Sequence, residues 1–246
     1  MQATPQLSAT SEGTPSPESK AIVGITLTGR KWPAGRRYNR GSSTSNLPRP
    51  MTALTHASVA LAESLFDDPF YWAITDSFAD DHAARKLALQ QYFRYSLAEA
   101  QRTGRCVIAA DASLGAAAWL LPRTSEVAAA EAAAKAEFLA AVLGDRGREN
   151  YDRIVHFMAP LAAKVIPAGS WYLSIIGVLP SAQGRGIGAT LLAGTLEEAS
   201  RAHAICYLET FTPRNLRFYE RMGFRRVSGH LEPTTNREYT VMRRDP

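Results

Sequence analysis

From Thr52 to Phe66 apolar residues return at helical spacing (Val59, Ala62, Leu65, Phe66), and Asp67, Asp68 and Pro69 stop the pattern, so a first helix is predicted there. A second helix follows from about Asp81 to Thr103, with Leu87, Leu89, Tyr92, Phe93 and Leu97 on or near one face and Gly104 as its stop. Two short apolar runs, Cys106–Ala110 and Leu114–Leu121, flank Asp111, Ala112 and Ser113 and read as an antiparallel hairpin closed by Pro122. Residues 125–143 are rich in Ala and Glu without a breaker and read as helix. A further helix is expected over about 147–165, carrying Tyr151, Ile154, Phe157, Met158 and Leu161.

The last third is the most sharply punctuated. Trp171–Val178 is a β-prone run ended by Pro180, and a glycine cluster, a helix, a strand at Ala204–Thr210, a short helix and two more strand-like runs ending at Met242 follow. This order predicts a mixed α/β fold.

Composition adds bounds. The 246 residues suit one large domain or two small ones, at roughly 100–200 residues each. With 46% hydrophobic and 21% charged residues, the chain is neither collagen-like nor wholly disordered nor a disulfide scaffold. No apolar stretch approaches the roughly 18 residues of a membrane span, so no membrane association is expected.

Residues 1–50 hold seven Lys/Arg against Glu12 and Glu18, while the remaining 21 bases and 21 acids cancel. The net charge of +5 therefore sits in the tail, and the neutral remainder gives no support to a nucleic-acid partner. Residues 1–45 are expected to be a disordered Ser/Thr/Pro/Arg-rich tail ahead of one domain over 46–246. Within the tail, AIVGITLTG at 21–29 reads equally as a strand or as a sticky segment.

Two cysteines, Cys106 and Cys206, and five scattered histidines assemble neither a metal site nor a disulfide framework. Buried thiols fit a reducing compartment. A cytoplasmic location is expected over a mitochondrial one, because the first base is Lys20 and two acids precede it.

The chemistry concentrates in two stretches. The first is Gln183-Gly184-Arg185-Gly186-Ile187-Gly188, after a strand and before a helix with an apolar stripe of Ile187, Leu191, Leu192, Leu196 and Ala199. Glycines there allow close backbone approach and leave the first N–H groups of the helix open to a phosphate or diphosphate, with Arg185 adding a cation. The spacing GxGxG departs from the dinucleotide fingerprint GxGxxG, and the Gly-Lys-Ser/Thr of a nucleotide-triphosphate loop is absent. Glycines that merely make a turn are the bland alternative.

The second stretch runs from Leu208 to Phe224, LETFTPRNLRFYERMGF. Thr212 suits a helix N-cap, Pro213 the first helical position and Gly223 a left-handed stop, predicting a helix over 213–222. Asn215 and Tyr219, four apart, lie on one face and can address one ligand; alternatively Tyr219 is amphipathic filler beside Phe218.

Together QGRGIG and, some 25 residues on, LETxxPRNxxFYERxGF resemble the GCN5-related N-acetyltransferase (GNAT) superfamily, and most closely its puromycin N-acetyltransferase-like branch. The resemblance is specific over about 170–225, weaker over 52–122, where FDDPFYW fits the end of the first helix, and does not cover 1–45. It implies a central, twisted, mostly antiparallel sheet flanked by helices. Its fourth and fifth strands, here Trp171–Val178 and Ala204–Thr210, splay to admit the pantetheine arm of acetyl-CoA.

Carried over by position, the resemblance assigns the phosphate-binding loop to Gln183, Gly184, Arg185, Gly186, Ile187 and Gly188. Val178 offers backbone groups to the pantetheine and the acetyl carbonyl, Asn215 is the cofactor-side amide, and Tyr219 is the general acid that protonates the leaving thiolate. The implied cosubstrate is acetyl-CoA, with no metal, and the acceptor a primary amine on a small molecule.

The carboxylate that the family often places on the fourth strand is missing from Ser174-Ile175-Ile176-Gly177. Glu209 is the best stand-in base, against an equal prospect that it only pairs with a neighbouring arginine. The first two helices and the Ala-rich insertion are expected to build the acceptor side, where Asp67, Asp68, Tyr71 and Trp72 would read an amine. A non-catalytic acyl-CoA-binding module and an ATP-dependent transferase are the rival readings.

Overall fold

The computed structural model describes residues 50–246. The whole 1–45 tail, with its 21–29 segment, therefore lies outside the described residues.

Helix α1 (Pro50–Ser64) and helix α3 (His82–Thr103) pack against each other and cover one face of the sheet. On α1 the buried row is Leu54, Ala57 and Leu61, whereas Val59 is exposed; on α3 Leu89, Phe93 and Leu97 are buried and Leu87 is exposed. The expected stripes are thus rotated slightly, because small residues let α1 lie close on the strands. Gly177 shows how close: a Cβ there would stand 2.3 Å from the Ser64 hydroxyl.

Between these helices the Asp67-Asp68-Pro69 stop opens a further helix, α2 (Pro69–Ile74), with Asp68 as N-cap and Pro69 in its first turn. Six residues hold too few turns to show a period. Asp81 caps α3, accepting from the backbone of Ala83 and Ala84 at 3.0 and 2.9 Å.

The expected hairpin is β1 (Gly104–Ile108) and β2 (Gly115–Leu120), paired antiparallel. The Ala-rich run and its successor form one helical run, α4 (Ser125–Ala163), broken at Gly144 by φ 68° and ψ −179°. The break falls in the gap between the two expected helices.

Strand β3 (Trp171–Val178) leads through a 3-10 turn into the glycine loop and α5 (Ile187–Arg201). Strand β4 (Cys206–Thr210), a 3-10 turn at Pro213–Asn215, helix α6 (Leu216–Arg221) and strands β5 (Arg225–Glu232) and β6 (Arg237–Arg244) complete the chain. The expected helix over 213–222 is thus a tight turn followed by a short α-helix. Thr212 does not cap it with its side chain, because its hydroxyl is drawn to Asp68 at 3.2 Å. Gly223 takes the left-handed conformation the stop requires, with φ 87°.

The sheet order is β1-β2-β3-β4-β6-β5, antiparallel except at β3-β4. One apolar core fills the face under α1, α3 and α4; the other, built on Trp119, Leu192, Leu208 and Phe224, lies under α5 and α6.

Candidate functional site

The two strands that the sequence singles out are the third and fourth of the described residues. They pair in parallel over Trp171↔Cys206 and Tyr172↔Tyr207 only, and then part. The Tyr172 and Tyr207 rings stack at 4.6 Å where they diverge. Beyond that point β3 keeps β2 as its partner and β4 keeps β6, so a slot opens between Leu173–Val178 and Leu208–Thr210. This is the splay that the resemblance implies.

At the outer end of the slot, by the end of β3, sits the glycine loop. Gly184 and Gly186 take φ values of 76° and 80°, which disfavour a side chain, and a Cβ on either would meet nothing within 4 Å. Gly186 is the N-cap of α5 and brings no side-chain oxygen to satisfy the first amides of the helix. Those N–H groups and the positive end of the helix dipole therefore face an accessible surface, an arrangement that suits a phosphate.

Gly188 serves packing instead, since its bare Cα lets the Phe218 ring approach to where a Cβ would stand 3.2 Å away. Gln183 turns back and donates from Nε2 to the Val178 carbonyl at 3.0 Å, bracing the loop against the strand. Arg185 is exposed beside the glycines.

At the inner end, under α4, lies a cavity of about 320 Å³. Tyr71, Tyr92, Tyr151, Tyr172, Tyr207 and Tyr219 all contribute to its wall, together with Asn215, Asp68 and Glu209. The structure thus brings Glu209, Asn215 and Tyr219 to one cavity, while Val178 and residues 183–188 stand along the slot outside its wall.

Glu209 accepts a hydrogen bond from the Tyr172 hydroxyl at 3.1 Å, and its other oxygen, Oε1, is buried without a partner. Burial pushes its carboxyl up to about 7, against which the Tyr172 bond pulls only slightly. The neighbour of this carboxylate is therefore a tyrosine, not the arginine of the alternative reading. Its pKa lies where a general base at neutral pH needs it.

Tyr219 is buried against Phe218 and Phe224, with ring centroids 5.2 and 6.2 Å away. Burial first, and the nearby Asp68 second, raise its hydroxyl well above the ordinary phenol value, so it stays protonated. Asp68 accepts from the Phe70 amide at 3.0 Å and from the Thr212 hydroxyl, and burial raises its carboxyl in turn.

Of the four residues expected to read an amine, Asp68 and Tyr71 line the cavity. Asp67 and Trp72 face a separate, open groove, where the Trp72 ring stacks on the Arg85 guanidinium at 3.7 Å.

A further group on the cavity wall escapes sequence reasoning. Glu99 from α3 meets Lys135 from the first arm of α4 at 3.1 Å and Arg123 from the loop after β2 at 3.8 Å. Lys135 is the lone base between Arg123 and Arg146, and that isolation in an Ala-rich run is the one signal the sequence offers. Burial works against charge on Lys135, but Tyr151, Tyr92 and Glu99 outweigh it and hold its pKa above the usual lysine value. Among the described residues no group of three or more His, Cys, Asp or Glu is placed to hold a metal ion, and no helix is long and apolar enough to cross a membrane.

Comparison with known proteins agrees with this geometry. The family model of the acetyltransferase (GNAT) domain matches residues 137–226, from the end of the first arm of α4 through β3, the glycine loop and α6. Among solved structures, a Corynebacterium glutamicum protein named as histone acetyltransferase HPA2 and related acetyltransferase superposes with a TM-score of 0.54 at 20% identity. That alignment covers 81% of this chain and 94% of the other. A putative acetyltransferase from Agrobacterium tumefaciens aligns at 28% identity over 31% of this chain and 56% of its own, with a TM-score of 0.29. The protein PH1933 of Pyrococcus horikoshii aligns at 12% identity over 78% and 91%, with a TM-score of 0.44.

The matched residues include the parallel pair that opens after two residues and the glycine-capped helix that follows. Over residues 137–226 the chain is thus similar to the acetyltransferase (GNAT) domain family, and its fold is similar to that of the Corynebacterium protein.

Proposed function

We propose that the protein, through a domain spanning about residues 46–246, transfers the acetyl group of acetyl-CoA to the primary amine of a small molecule by direct attack, in the manner of the puromycin N-acetyltransferase-like branch. The observation that carries this reading is the shared cavity of Glu209, Asn215 and Tyr219 at the inner end of a slot whose outer end is the glycine loop.

Each residue has a distinct part. The amides at the start of α5, with Arg185, hold the diphosphate of the cosubstrate, and Gly184 and Gly186 keep that surface bare. The facing edges of β3 and β4, unpaired beyond Tyr172 and Tyr207, offer backbone groups to the pantetheine. Asn215 supplies a side-chain amide on the cofactor side, and backbone N–H near Val178 steadies the oxyanion that forms as the amine attacks.

Glu209 takes the proton of the ammonium form of the acceptor, generating the neutral nucleophile, and Tyr172 holds that carboxylate in place. Tyr219 donates to the departing thiolate and is restored by the proton that the attacking nitrogen loses as the amide forms, while the proton held by Glu209 passes to solvent. The raised pKa of Tyr219 makes it a weak acid, so transfer is driven by charge appearing on sulfur as the thioester breaks.

The test is release of coenzyme A thiol from acetyl-CoA with a panel of primary amines. Tyr219→Phe is expected to lower kcat by about 10²- to 10⁴-fold, the usual span for a positioned acid or base, while acetyl-CoA binding changes much less. Unchanged turnover removes Tyr219 from the mechanism. Binding of acetyl-CoA without thiol release from any amine supports the non-catalytic module instead, and displacement of coenzyme A by ATP supports the nucleotide reading.

A further inference from the structure

We infer that the acceptor carries a carboxylate as well as its amine, and that Lys135 and Arg123 hold this carboxylate at the end of the cavity away from the glycine loop. The inference rests on the transferase reading above and specifies its substrate.

Three elements converge to build the subsite. Glu99 comes from α3, Arg123 from the loop after β2, and Lys135 from the first arm of α4, and all three line the cavity. Their side chains are 4%, 12% and 15% exposed, respectively, so their charges sit largely out of water. Arg123 stands three residues beyond Leu120, which pairs with Tyr172 at the start of β3. The slot and the glycine loop lie towards the other end of that strand.

The charges at this end do not balance. Glu99 gives one oxygen to Lys135 at 3.1 Å and leaves Arg123 at 3.8 Å, beyond hydrogen-bond range. Arg123 otherwise donates to the Thr103 hydroxyl at 3.1 Å. Nearby, Arg102 and Glu131 satisfy each other at 2.8 Å. Three cations, Arg102, Arg123 and Lys135, thus face two carboxylates, Glu99 and Glu131, and the Arg123 guanidinium keeps N–H groups for a further anion. Enclosed charge is costly unless it is paired, so a wall of this kind favours a ligand that brings the missing negative charge.

Asp68 and Glu209 give the same wall its opposite polarity: neither makes an ion pair among the described residues, and the cation that acts on Asp68 is Arg214. Between the ends the wall is aromatic and apolar, and the Lys135 ammonium lies 5.9 Å from each of the Tyr92 and Tyr151 rings. A molecule with an ammonium at one end, an aromatic or long aliphatic body and a carboxylate at the other matches this sequence of surfaces.

If Glu99, Lys135 and Arg123 only tied α4 to α3, their loss would lower stability without changing which amine is preferred. The two roles separate in a comparison of kcat/KM for 4-(aminomethyl)benzoate against 4-(aminomethyl)benzamide, and for 6-aminohexanoate against 6-aminohexanamide, read as coenzyme A release. In the wild-type protein at least one carboxylate is expected to exceed its amide by about tenfold or more. That ratio should fall to about one in Lys135→Met, be largely kept in Lys135→Arg, and fall in Arg123→Gln, which reads the same ratio should Lys135→Met fail to fold.

A wild-type ratio of one or below in both pairs, with thiol released, overturns the inference and leaves the transferase reading standing. A ratio that survives in both Lys135→Met and Arg123→Gln overturns it equally. Absence of release from these and all other primary amines counts against transfer itself, and the inference falls with it.

Discussion

Glu209 holds two demands in conflict. In its proposed role of base it must be ionised near neutral pH, yet the fold buries it with one oxygen unpartnered and a pKa near 7 instead of about 4.5. The folded state therefore binds its proton more tightly than the unfolded state. The stability this gives is complete below about pH 4.5 and is lost as pH rises to about 7, amounting to roughly 3 kcal/mol at 1.36 kcal/mol per pH unit. Glu209→Gln is expected to be more stable than wild type at pH 8, by up to about that amount, and far less active; thermal or denaturant melts at pH 5 and pH 8 check the first part. In the wild type, kcat/KM should rise with pH through about 7 as Glu209 ionises, and that limb should vanish in the glutamine variant.

At this scale the sequence is partly legible. Glu209, Asn215 and Tyr219 stand out within one motif, but Tyr172, the hydrogen-bond partner of Glu209, is 37 residues away and meets it only because β3 and β4 run parallel before parting. Lys135 is hidden for a similar reason: its partner Glu99 is 36 residues back, on another helix.

At the scale of elements, glycine φ values decide what can be changed. Gly186 at φ 80° is the cap of α5, and a Cβ there would touch nothing within 4 Å, so a substitution costs backbone strain without a clash. Gly186→Val is expected to leave the fold largely intact while abolishing acetyl-CoA binding, since the branched side chain strains the loop and covers the amides; calorimetric titration with circular dichroism as the fold control checks this. Gly144 bends α4 at φ 68° and ψ −179°, a region that only glycine enters readily. Gly144→Ala should cost about 1–3 kcal/mol in a denaturant melt.

Elements with marked ends are readable in advance: the start of α3 at Asp81, the gap between the two helices expected over 125–165, Pro180 after β3 and Gly223 after α6 all fall where the structure has an end or a break. Helix α2 is not, since its six residues have no period. The residues expected to cap α6 do not all do so, because the Thr212 hydroxyl is engaged by Asp68, 144 residues away in the chain.

Over the whole molecule, the cosubstrate is expected to be a structural partner as well as a reactant. Acetyl-CoA at about 100 times its dissociation constant should stabilise the protein by about 2.7 kcal/mol, visible as a rise in Tm that Gly186→Val abolishes. The path of the sheet, six strands with one parallel pair, follows from contacts between distant segments that local patterns do not encode. Here the resemblance, not periodicity, supplies the expectation of a splay.

The opening between β3 and β4 has a mechanical consequence. Only two residue pairs join the three-stranded unit β1-β2-β3 to the three-stranded unit β4-β6-β5, so the sheet is two leaves on a narrow spine. A molecule lying between the leaves and bonding to both margins acts as a temporary binding strip. Along the margins, Leu173–Val178 and Leu208–Thr210, the amide hydrogens that face the slot should exchange faster than those bonded to β2 and β6, and should slow most when the strip is in place.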